Sequence, residues 1–360
     1  MRILVINPGS TTTKIAAFEG KDSIFEHKIN HNQDLDFQAR FSSPGDIFDQ
    51  LDFRLNAIKQ ILSDNKIKEL GAVVGRGGNL PDVVSGTYLV TPKIIETLKN
   101  RPLAVHASNL GAALAFEISK IFGISNRVFI VDPVSTDEIE EKHKLTGIPE
   151  IKRYPGWHAL NQKAVGREYA KSIGRKYEDL NLIIAHLGGG SSFAAHKKGR
   201  AINVINAVAG EGPMTPERSG AIPAQALIKL CFSGRKTEKE LLHLISGGGG
   251  IFAHLGVKDL EELSKKYSEF SKDQKDVIDE MIAGNSRAIC SLIPDFEGEQ
   301  IDQIILTGGV ANWILLVESI KRDLIALNIG ISVYPGEKEM EALRDGVLRV
   351  LSGQERVKEY

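Results

Sequence analysis

Two turns rich in Gly, Ser and Thr, about half a chain length apart, contain the residue types that bind anions. Each turn lies between two short apolar segments, in residues 3–16 and 182–195. Superimposing these segments without a gap places apolar residues on apolar residues and Asn7 on His186. Glycines let backbone N–H groups approach an anion closely, and neighbouring hydroxyls add donors. The repetition predicts two related domains, each opening with a strand, an anion-binding turn and a returning strand.

Strands alternate with helices along the rest of the chain, which is typical of an α/β fold. Amphipathic spacing predicts a helix over residues 47–62, with a start signal at Ser43–Asp46. Thr91 and Pro92 predict the capped start of a further helix. A strand at 301–306 is predicted to enter a Gly-Gly turn and then a helix from Ala311.

The length of 360 residues exceeds what one hydrophobic core usually serves, so two domains are expected. Residues 140–155 are charged and contain two prolines, which favours a boundary there. We therefore predict an N-terminal domain at 1–152, completed by a C-terminal helix at about 340–360, and a second domain at 153–339.

Composition excludes several classes of function. The 45 basic and 46 acidic residues nearly cancel, so no overall charge draws the protein to nucleic acid or membrane. Cys231 and Cys290 are too few for a disulfide framework or a zinc site. No apolar stretch is long enough to span a bilayer, and the N-terminus does not resemble a signal peptide. We expect a cytoplasmic protein with neither a nucleic-acid nor a membrane partner.

Neither of the two commonest nucleotide-binding motifs occurs: G-x-x-x-x-G-K-[ST] and a strand-linked G-x-G-x-x-G are both absent from the sequence. Seven other motifs occur in a fixed order, namely NPGSTTTK (7–14), GRGG (75–78), RYPGWH (153–158), HLGGGSS (186–192), PERSG (216–220), TGGVAN (307–312) and PGEKEMEALRDG (335–346). Together they resemble the acetate kinase family, within the superfamily of acetate and sugar kinases, heat-shock ATPases and actin. They are more similar to its butyrate and branched-chain carboxylate kinase branch. The resemblance implies two duplicated actin-like (ribonuclease H-like) α/β domains with a cleft between them. The N-terminal domain would be the acceptor-side domain, and the second domain would bind the nucleotide.

The resemblance also implies catalytic residues, which are Asn7, Arg76, Asp132, His158 and Arg218. The two arginines would offset the repulsion between an anionic acceptor and an anionic phosphoryl donor. His158 would hydrogen-bond the transferring phosphoryl group. Asp132 would orient an arginine or a metal-bound water, but it also fits the N-cap of a helix that begins at Pro133.

Further roles follow from the same resemblance. Arg76 and His106 would bind the acceptor, and Asn7 would act at the metal with either Glu337 or Glu339. Mg²⁺ prefers one or two carboxylates together with phosphate oxygens and waters, which either glutamate satisfies. Phosphate and nucleotide would be bound by Ser10, Thr12, Lys14, His186, Gly188, Gly189, Gly190, Ser191, Gly308, Gly309 and Asn312. The glycine run at 247–250 is by default a flexible connector.

Chemistry separates the candidate enzymes. A sugar kinase must deprotonate a hydroxyl and therefore needs an aspartate base, whereas a carboxylate with a pKa of about 4 to 5 arrives ionised. The Arg- and His-rich set favours an ATP-dependent carboxylate kinase, using Mg²⁺ and direct in-line transfer to form an acyl phosphate. Butyrate or a branched short-chain acid is the expected substrate, with acetate or propionate as the alternative. A sugar kinase and a non-catalytic nucleotide switch remain more distant alternatives, and the resemblance implies a homo-oligomer, either a dimer or a multiple of it.

Overall fold

A computed structural model describes residues 1–41, 46–206 and 208–360. The chain forms two compact units, the first comprising Met1–Asp137 with Lys338–Tyr360 and the second Glu138–Glu337. The first change of unit comes before the predicted boundary at 152/153. Glu138 explains this position, because its carboxylate lies 2.7 Å from the Lys163 amine and accepts a hydrogen bond from the Ala201 N–H. Within the described ranges, no helix combines the length and apolar character needed to cross a membrane.

The first unit contains a mixed six-stranded sheet with the order β3-β2-β1-β4-β6-β5. Its strands are β1 (Arg2–Pro8), β2 (Thr12–Glu19), β3 (Asp22–Asn30), β4 (Ala72–Arg76), β5 (Thr87–Leu89) and β6 (Val128–Val131). The apolar residues 3–6 of β1 are fully buried, as expected for a central strand covered on both faces. The parallel strands β1, β4 and β6 therefore place their carboxyl ends at one edge of the sheet.

The helices of the first unit before the chain leaves it are α1 (Leu35–Phe41), α2 (Leu51–Asp64), α3 (Pro92–Asn100) and α4 (Leu110–Ile121). The predicted helix over 47–62 is present as a 3₁₀ turn, Ile47–Gln50, followed by α2. Asp46 caps that turn by accepting the Phe48 N–H, whereas the rest of the predicted start signal, Ser43 to Gly45, lies outside the described residues. Thr91 caps α3 as predicted.

The second unit contains a five-stranded sheet with the order β9-β8-β7-β10-β11. Its strands are β7 (Asn181–His186), β8 (Ser192–Lys197), β9 (Arg200–Ile205), β10 (Gln303–Gly308) and β11 (Ile331–Pro335). Its helices are α5 (Ala159–Ser172), α6 (Ala224–Cys231), α7 (Glu238–Ile245), α8 (Gly250–Leu255), α9 (Leu260–Lys266), α10 (Lys272–Ser291) and α11 (Ile314–Asp323). The helix predicted from Ala311 starts later, because a 3₁₀ turn over Gly309–Asn312 precedes α11. The final helix, α12 (Glu339–Leu351), belongs to the first unit.

The two sheets share one topology, which confirms the duplicated fold. The order β3-β2-β1-β4-β6 of the first unit corresponds to β9-β8-β7-β10-β11 of the second. The sequence superposition of residues 3–16 on 182–195 needs one correction. Asn7 pairs with Lys14, seven residues later, whereas His186 pairs with Ser192, six residues later. The second turn is therefore one residue shorter than the first, and the returning strands align only when that residue is skipped.

Candidate active site

Three of the predicted residues meet at the carboxyl edge of the first sheet. Asn7 and Arg76 lie near the ends of the neighbouring parallel strands β1 and β4. Glu339, at the start of α12, accepts a hydrogen bond from Asn7 Nδ2 (2.6 Å) and forms an ion pair with Arg76 Nη1. Arg76 is only 8% exposed, and its Nε has no hydrogen-bond partner among the described residues. A buried guanidinium thus retains an N–H that could bind an anion.

The backbone at Arg76 is in close contact with helix α4. Gly111 of α4 lies against the Arg76 backbone, so that a Cβ added at Gly111 would lie 2.7 Å from the Arg76 nitrogen. Real Cβ atoms do not approach other atoms this closely, so only glycine fits. The sequence contained Gly111 but no pattern that linked it to Arg76.

The two glutamates that the sequence left open lie in different environments. Glu339 contacts Asn7 and Arg76 in the first unit, whereas the Glu337 carboxylate lies 3.8 Å from His186 Nε2 in the second. Glu339 is therefore the glutamate beside Asn7. No group of three or more His, Cys, Asp or Glu residues suited to a metal ion occurs in the described part of the chain.

A buried arginine that sequence analysis missed fastens the first turn. Arg54 of α2 is fully buried and donates to the carbonyls of Ser10 (3.1 Å) and Thr12 (2.9 Å) and to Thr13 Oγ1 (2.8 Å). It also donates to Gln50 Oε1 at 2.8 Å. Burial lowers the pKa of Arg54 to about 10, so the guanidinium stays charged at neutral pH. An arginine within a helical segment resembles an ordinary surface residue in sequence, which is why its role was not predicted.

His31 was also missed, and it completes the support of the first turn. Its Nε2 lies 2.8 Å from Thr13 Oγ1, and its ring stacks on Phe37 at a centroid distance of 4.9 Å. Burial, followed by the charge of Arg54, lowers the pKa of His31 to about 4. His31 is therefore neutral at physiological pH.

His106 lies beside the same turn, with Nε2 3.4 Å from Ser10 Oγ. Its Nδ1 accepts from the Ser108 N–H (3.1 Å), so the proton of the neutral ring is on Nε2. The ring is accessible to solvent, yet its crowded surroundings, and then the charges of Arg76 and Arg54, lower the pKa of His106. Lys14, a predicted phosphate ligand, lies opposite Asn7 in the β1–β2 ladder.

Asp132 follows β6 in a left-handed backbone conformation (φ 40°) and is buried. Its carboxylate accepts the Gly86 N–H at 2.8 Å. The N-cap interpretation is wrong, because a turn closed by the Thr136 N–H and the Pro133 carbonyl follows, and no helix begins at Pro133. Val131 pairs with Arg76, so Asp132 follows directly after the residue that lies opposite Arg76 in the sheet.

Two histidine rings stack at the end of β7 in the second unit. His186, the last residue of β7, and His158, the N-cap residue of α5, lie 3.7 Å apart with ring planes at 9°. His186 Nδ1 lies 2.9 Å from Asn161 Oδ1, and His158 Nδ1 lies 2.8 Å from Ser192 Oγ. Both predicted histidines thus meet at the second turn, where the Nδ1 atom of each lies within hydrogen-bonding distance of a neutral side chain.

The second turn is joined to the loop that contains Arg218. The Gly189 carbonyl accepts hydrogen bonds from Thr215 Oγ1 (2.6 Å) and from the Glu217 N–H (3.1 Å). The Gly188 N–H lies 3.4 Å from Ser191 Oγ, a long contact that closes the turn. The predicted phosphate-binding glycines are therefore hydrogen-bonded to the loop that contains Arg218.

The glycine run at 247–250 is not a flexible connector. Gly250 begins α8 at φ 67°, and a Cβ there would lie 2.7 Å from the Arg218 carbonyl and against the Thr215 carbonyl. Gly249 packs in the same way against the Ser219 backbone. Glycines are required here because the run supports the Arg218 loop. Burial lowers the pKa of Arg218, whose Nε has no hydrogen-bond partner among the described residues.

The Gly308–Gly309 segment borders the second turn from β10. The Leu187 N–H donates to the Thr307 carbonyl (2.7 Å), and the Val310 N–H donates to the Leu187 carbonyl (3.0 Å). Asn312 is exposed and its Nδ2 donates to the Gly309 carbonyl at 3.0 Å. Its side chain thus closes the 3₁₀ turn, so its predicted contact with nucleotide would require it to leave this bond.

Comparison with known proteins agrees with this arrangement. A model of the Acetokinase family matches residues 2–340. The chain belongs to the acetokinase family. It is 44% identical to butyrate kinase 2 of Clostridium acetobutylicum, over 100% of this chain and 99% of that protein. It is 42% identical to a probable butyrate kinase of Listeria monocytogenes, over 99% of each chain.

The fold of the family is seen directly in a solved structure. The crystal structure of Porphyromonas gingivalis acetate kinase matches with a TM-score of 0.79 and 20% identity, over 97% of this chain and 99% of that one. The predicted actin-like, duplicated α/β fold is therefore confirmed. As a member of this family the chain is a carboxylate kinase, a phosphotransferase with a carboxyl group as acceptor.

Proposed function

We propose that this acetokinase-family enzyme transfers the γ-phosphoryl group of Mg-ATP to butyrate or a branched short-chain acid, forming an acyl phosphate and ADP. The relatives at 44% and 42% identity, a butyrate kinase and a probable butyrate kinase, support this choice over acetate or propionate. One extra methylene is worth only about 1 to 3 kcal/mol of discrimination, so neighbouring acids should react more slowly rather than not at all.

The observation that carries the proposal is the bonding of Glu339. Its carboxylate is held by Arg76 and Asn7, and the carboxylate of the predicted catalytic residue Asp132 accepts the Gly86 N–H. Carboxylates held by donors are stabilised in the ionised form and make poor bases. An acceptor that arrives already ionised needs no base. This arrangement supports a carboxylate acceptor and argues against a sugar hydroxyl.

Arg76 and His106 are proposed to bind the acceptor. The unused Nε–H of Arg76 offers a charge-assisted hydrogen bond to a carboxylate, and the Nε2–H of neutral His106 offers a second donor. In the second unit, His158 and Arg218 are proposed to bind the transferring phosphoryl group. The glycine-rich turn at 187–191 and the Gly308–Gly309 segment would bind the remaining phosphates through backbone N–H groups.

The residues present fit a magnesium ion. The Glu339 carboxylate lies beside Asn7, and Asn7 donates through Nδ2, which leaves its Oδ1 for a water. Asn7 and Glu339 would thus hold Mg²⁺ through its waters. The bound ion would offset charge on the phosphates.

The test is an ATP-dependent hydroxamate assay, in which hydroxylamine traps acyl phosphate, across straight and branched acids from C2 to C6. We expect the highest kcat/KM at C4, straight or branched. A maximum at C2 or C3 would overturn the butyrate proposal while leaving a carboxylate kinase. A parallel assay of ADP release with hexoses checks the sugar kinase alternative, and hexose turnover above that with carboxylates would contradict the proposed acceptor.

A further inference from the structure

A continuous row of five hydrogen-bonding side chains ends at His158. Tyr177 Oη lies 2.6 Å from His196 Nδ1, and His196 Nε2 lies 3.0 Å from Gln162 Oε1. Gln162 Nε2 donates to Ser192 Oγ at 2.9 Å, and Ser192 Oγ lies 2.8 Å from His158 Nδ1. The middle three side chains are fully buried. We call these five residues the relay.

The direction of the relay is set by a backbone carbonyl. The Ser192 carbonyl lies 3.2 Å from Gln162 Nε2, and a carbonyl can only accept. The amide of Gln162 must therefore present its nitrogen to Ser192 and its oxygen to His196. His196 must in turn donate to that oxygen from Nε2.

His196 can make only one such donation. Its burial, followed by the charges of Lys163 and Arg167, holds the pKa of His196 well below its usual range, so the ring is neutral. A neutral imidazole has one N–H, which here is on Nε2. Nδ1 is therefore an acceptor, and the Tyr177 hydroxyl donates to it.

The Ser192 hydroxyl is the donor in its hydrogen bond with His158. It accepts from Gln162 Nε2 and from the His158 backbone N–H (3.2 Å), which occupies both of its lone pairs. Its single proton is then directed to His158 Nδ1. With Nδ1 accepting, the proton of the neutral His158 ring is on Nε2. The stack on His186 holds the plane of that ring.

We infer that Gln162 and Ser192 are positioning residues that fix His158 as a permanent Nε2–H donor. The inference deepens the proposed function and rests on it for the role of His158, which is to donate a hydrogen bond to the transferring phosphoryl group. A donor held in one tautomer needs no rearrangement when charge develops on the phosphoryl oxygens. The roles of Tyr177, His196, Gln162 and Ser192 were not predicted from the sequence, because their contacts join three separate segments.

The first experiment measures the tautomer without any substrate. Long-range nitrogen-15 correlation spectra of histidine-labelled enzyme distinguish a protonated from an unprotonated ring nitrogen. With nine histidines in the chain, the His158 signals can be assigned by their loss in His158→Asn. We expect protonated Nε2 and unprotonated, hydrogen-bonded Nδ1. A protonated Nδ1 in the wild-type enzyme would overturn the inference.

The second experiment removes one link at constant volume. Gln162→Met frees a lone pair on Ser192 Oγ, which can then accept a hydrogen bond from His158 Nδ1–H. Both tautomers of His158 should therefore appear in the spectra. We expect kcat to fall about two- to tenfold, the value of one neutral hydrogen bond, with the KM for ATP nearly unchanged. Unchanged His158 signals in this variant would refute the relay, even if its stability falls.

A matched control uses the far end of the relay. Tyr177→Phe keeps the ring but removes the hydroxyl, so the His196 signals should move whereas those of His158 should not. Ser192→Thr, which keeps the hydroxyl, should retain the His158 tautomer and most of kcat. If the tautomer is as expected but His158→Asn keeps full activity, the proposed role of His158 fails and the relay stands. If the tautomer is wrong in an enzyme that makes acyl phosphate, the relay fails and the proposed function stands.

Discussion

The turns after β1 and after β7 have the same topology, but charged side chains support the first and neutral side chains support the second. The first is held by a buried cation, Arg54, and lies beside a second, Arg76, and both are on regular elements of the sheet and helix layers. The second is held by neutral hydroxyl, amide and imidazole groups, and its cation, Arg218, comes from a separate loop. A duplicated backbone thus fixes where the turns lie, while the side chains around each turn decide which charges it receives.

The largest effect on activity should come from replacing Arg76, the cation on the first sheet. We expect Arg76→Ala to lower kcat/KM on the order of 10³-fold or more, because one arginine can supply that much stabilisation of phosphoryl transfer. Arg76→Lys should recover only part of this loss, since lysine lacks the planar fork that engages Glu339 and an anion together. The hydroxamate assay measures both, with the exposed Arg322→Ala as control. Activity of Arg76→Ala within tenfold of wild type would contradict the role assigned to Arg76.

The position of Arg218, the cation on the loop, should depend on Gly250. Gly250→Ala would push the Arg218 loop away, and a displacement of about 1 Å at a catalytic group can cost on the order of 10² in rate. Gly256→Ala is the matched control, because Gly256 has nearly the same backbone angle (φ 70°) but open space where its Cβ would lie. We expect the control to lose stability but to keep kcat. Equal losses of kcat in both variants would show that backbone strain, not the loop position, is responsible.

The support of the two turns can be separated by hydrogen exchange. In Arg54→Met the amides of residues 10–13 should exchange about 30-fold faster, as expected for a loss of about 2 kcal/mol of local stability. The amides of residues 187–191 should be unaffected. In Gln162→Met the amides of residues 187–191 should exchange faster and those of residues 10–13 should be unaffected. Faster exchange at both turns in either variant would mean that the turns are not independently supported.

The smallest effect is the pH dependence from His31. Its pKa is lowered to about 4 in the folded protein, so the unfolded chain takes up a proton first as the pH falls below about 6.5. This group therefore removes stability between about pH 6.5 and 4, amounting to about 1 kcal/mol between pH 7 and 5.5. Urea unfolding of wild type and His31→Gln at the two pH values measures the difference. His196 titrates in the same direction in both proteins and cancels. An identical pH dependence of the two would exclude His31.

Sequence patterns anticipated the surroundings of some of these residues and not of others. Asn7 and Arg76 lie close together because the parallel neighbouring strands β1 and β4 end at one edge, and Glu339 reaches Asn7 from the start of α12. Strand ends followed by glycines are recognisable in sequence. The N-cap interpretation of Asp132 failed because the local pattern Asp-Pro fits both a helix start and the turn that is present. The glycine run at 247–250 was misjudged because its partners, the backbone atoms of residues 215–219, are distant in sequence.

Sequence by itself determined the duplicated α/β fold, the family, and the order of the anion-binding turns, because these depend on local periodicity and on motifs of a few adjacent residues. Only the tertiary structure decided that Glu339 rather than Glu337 lies beside Asn7, that Arg54 holds the first turn, and that Gln162 and Ser192 direct the proton on His158. These features depend on hydrogen bonds between segments far apart in the chain. A residue type can indicate that it can donate or accept such a bond, but its partner exists only once the chain has folded.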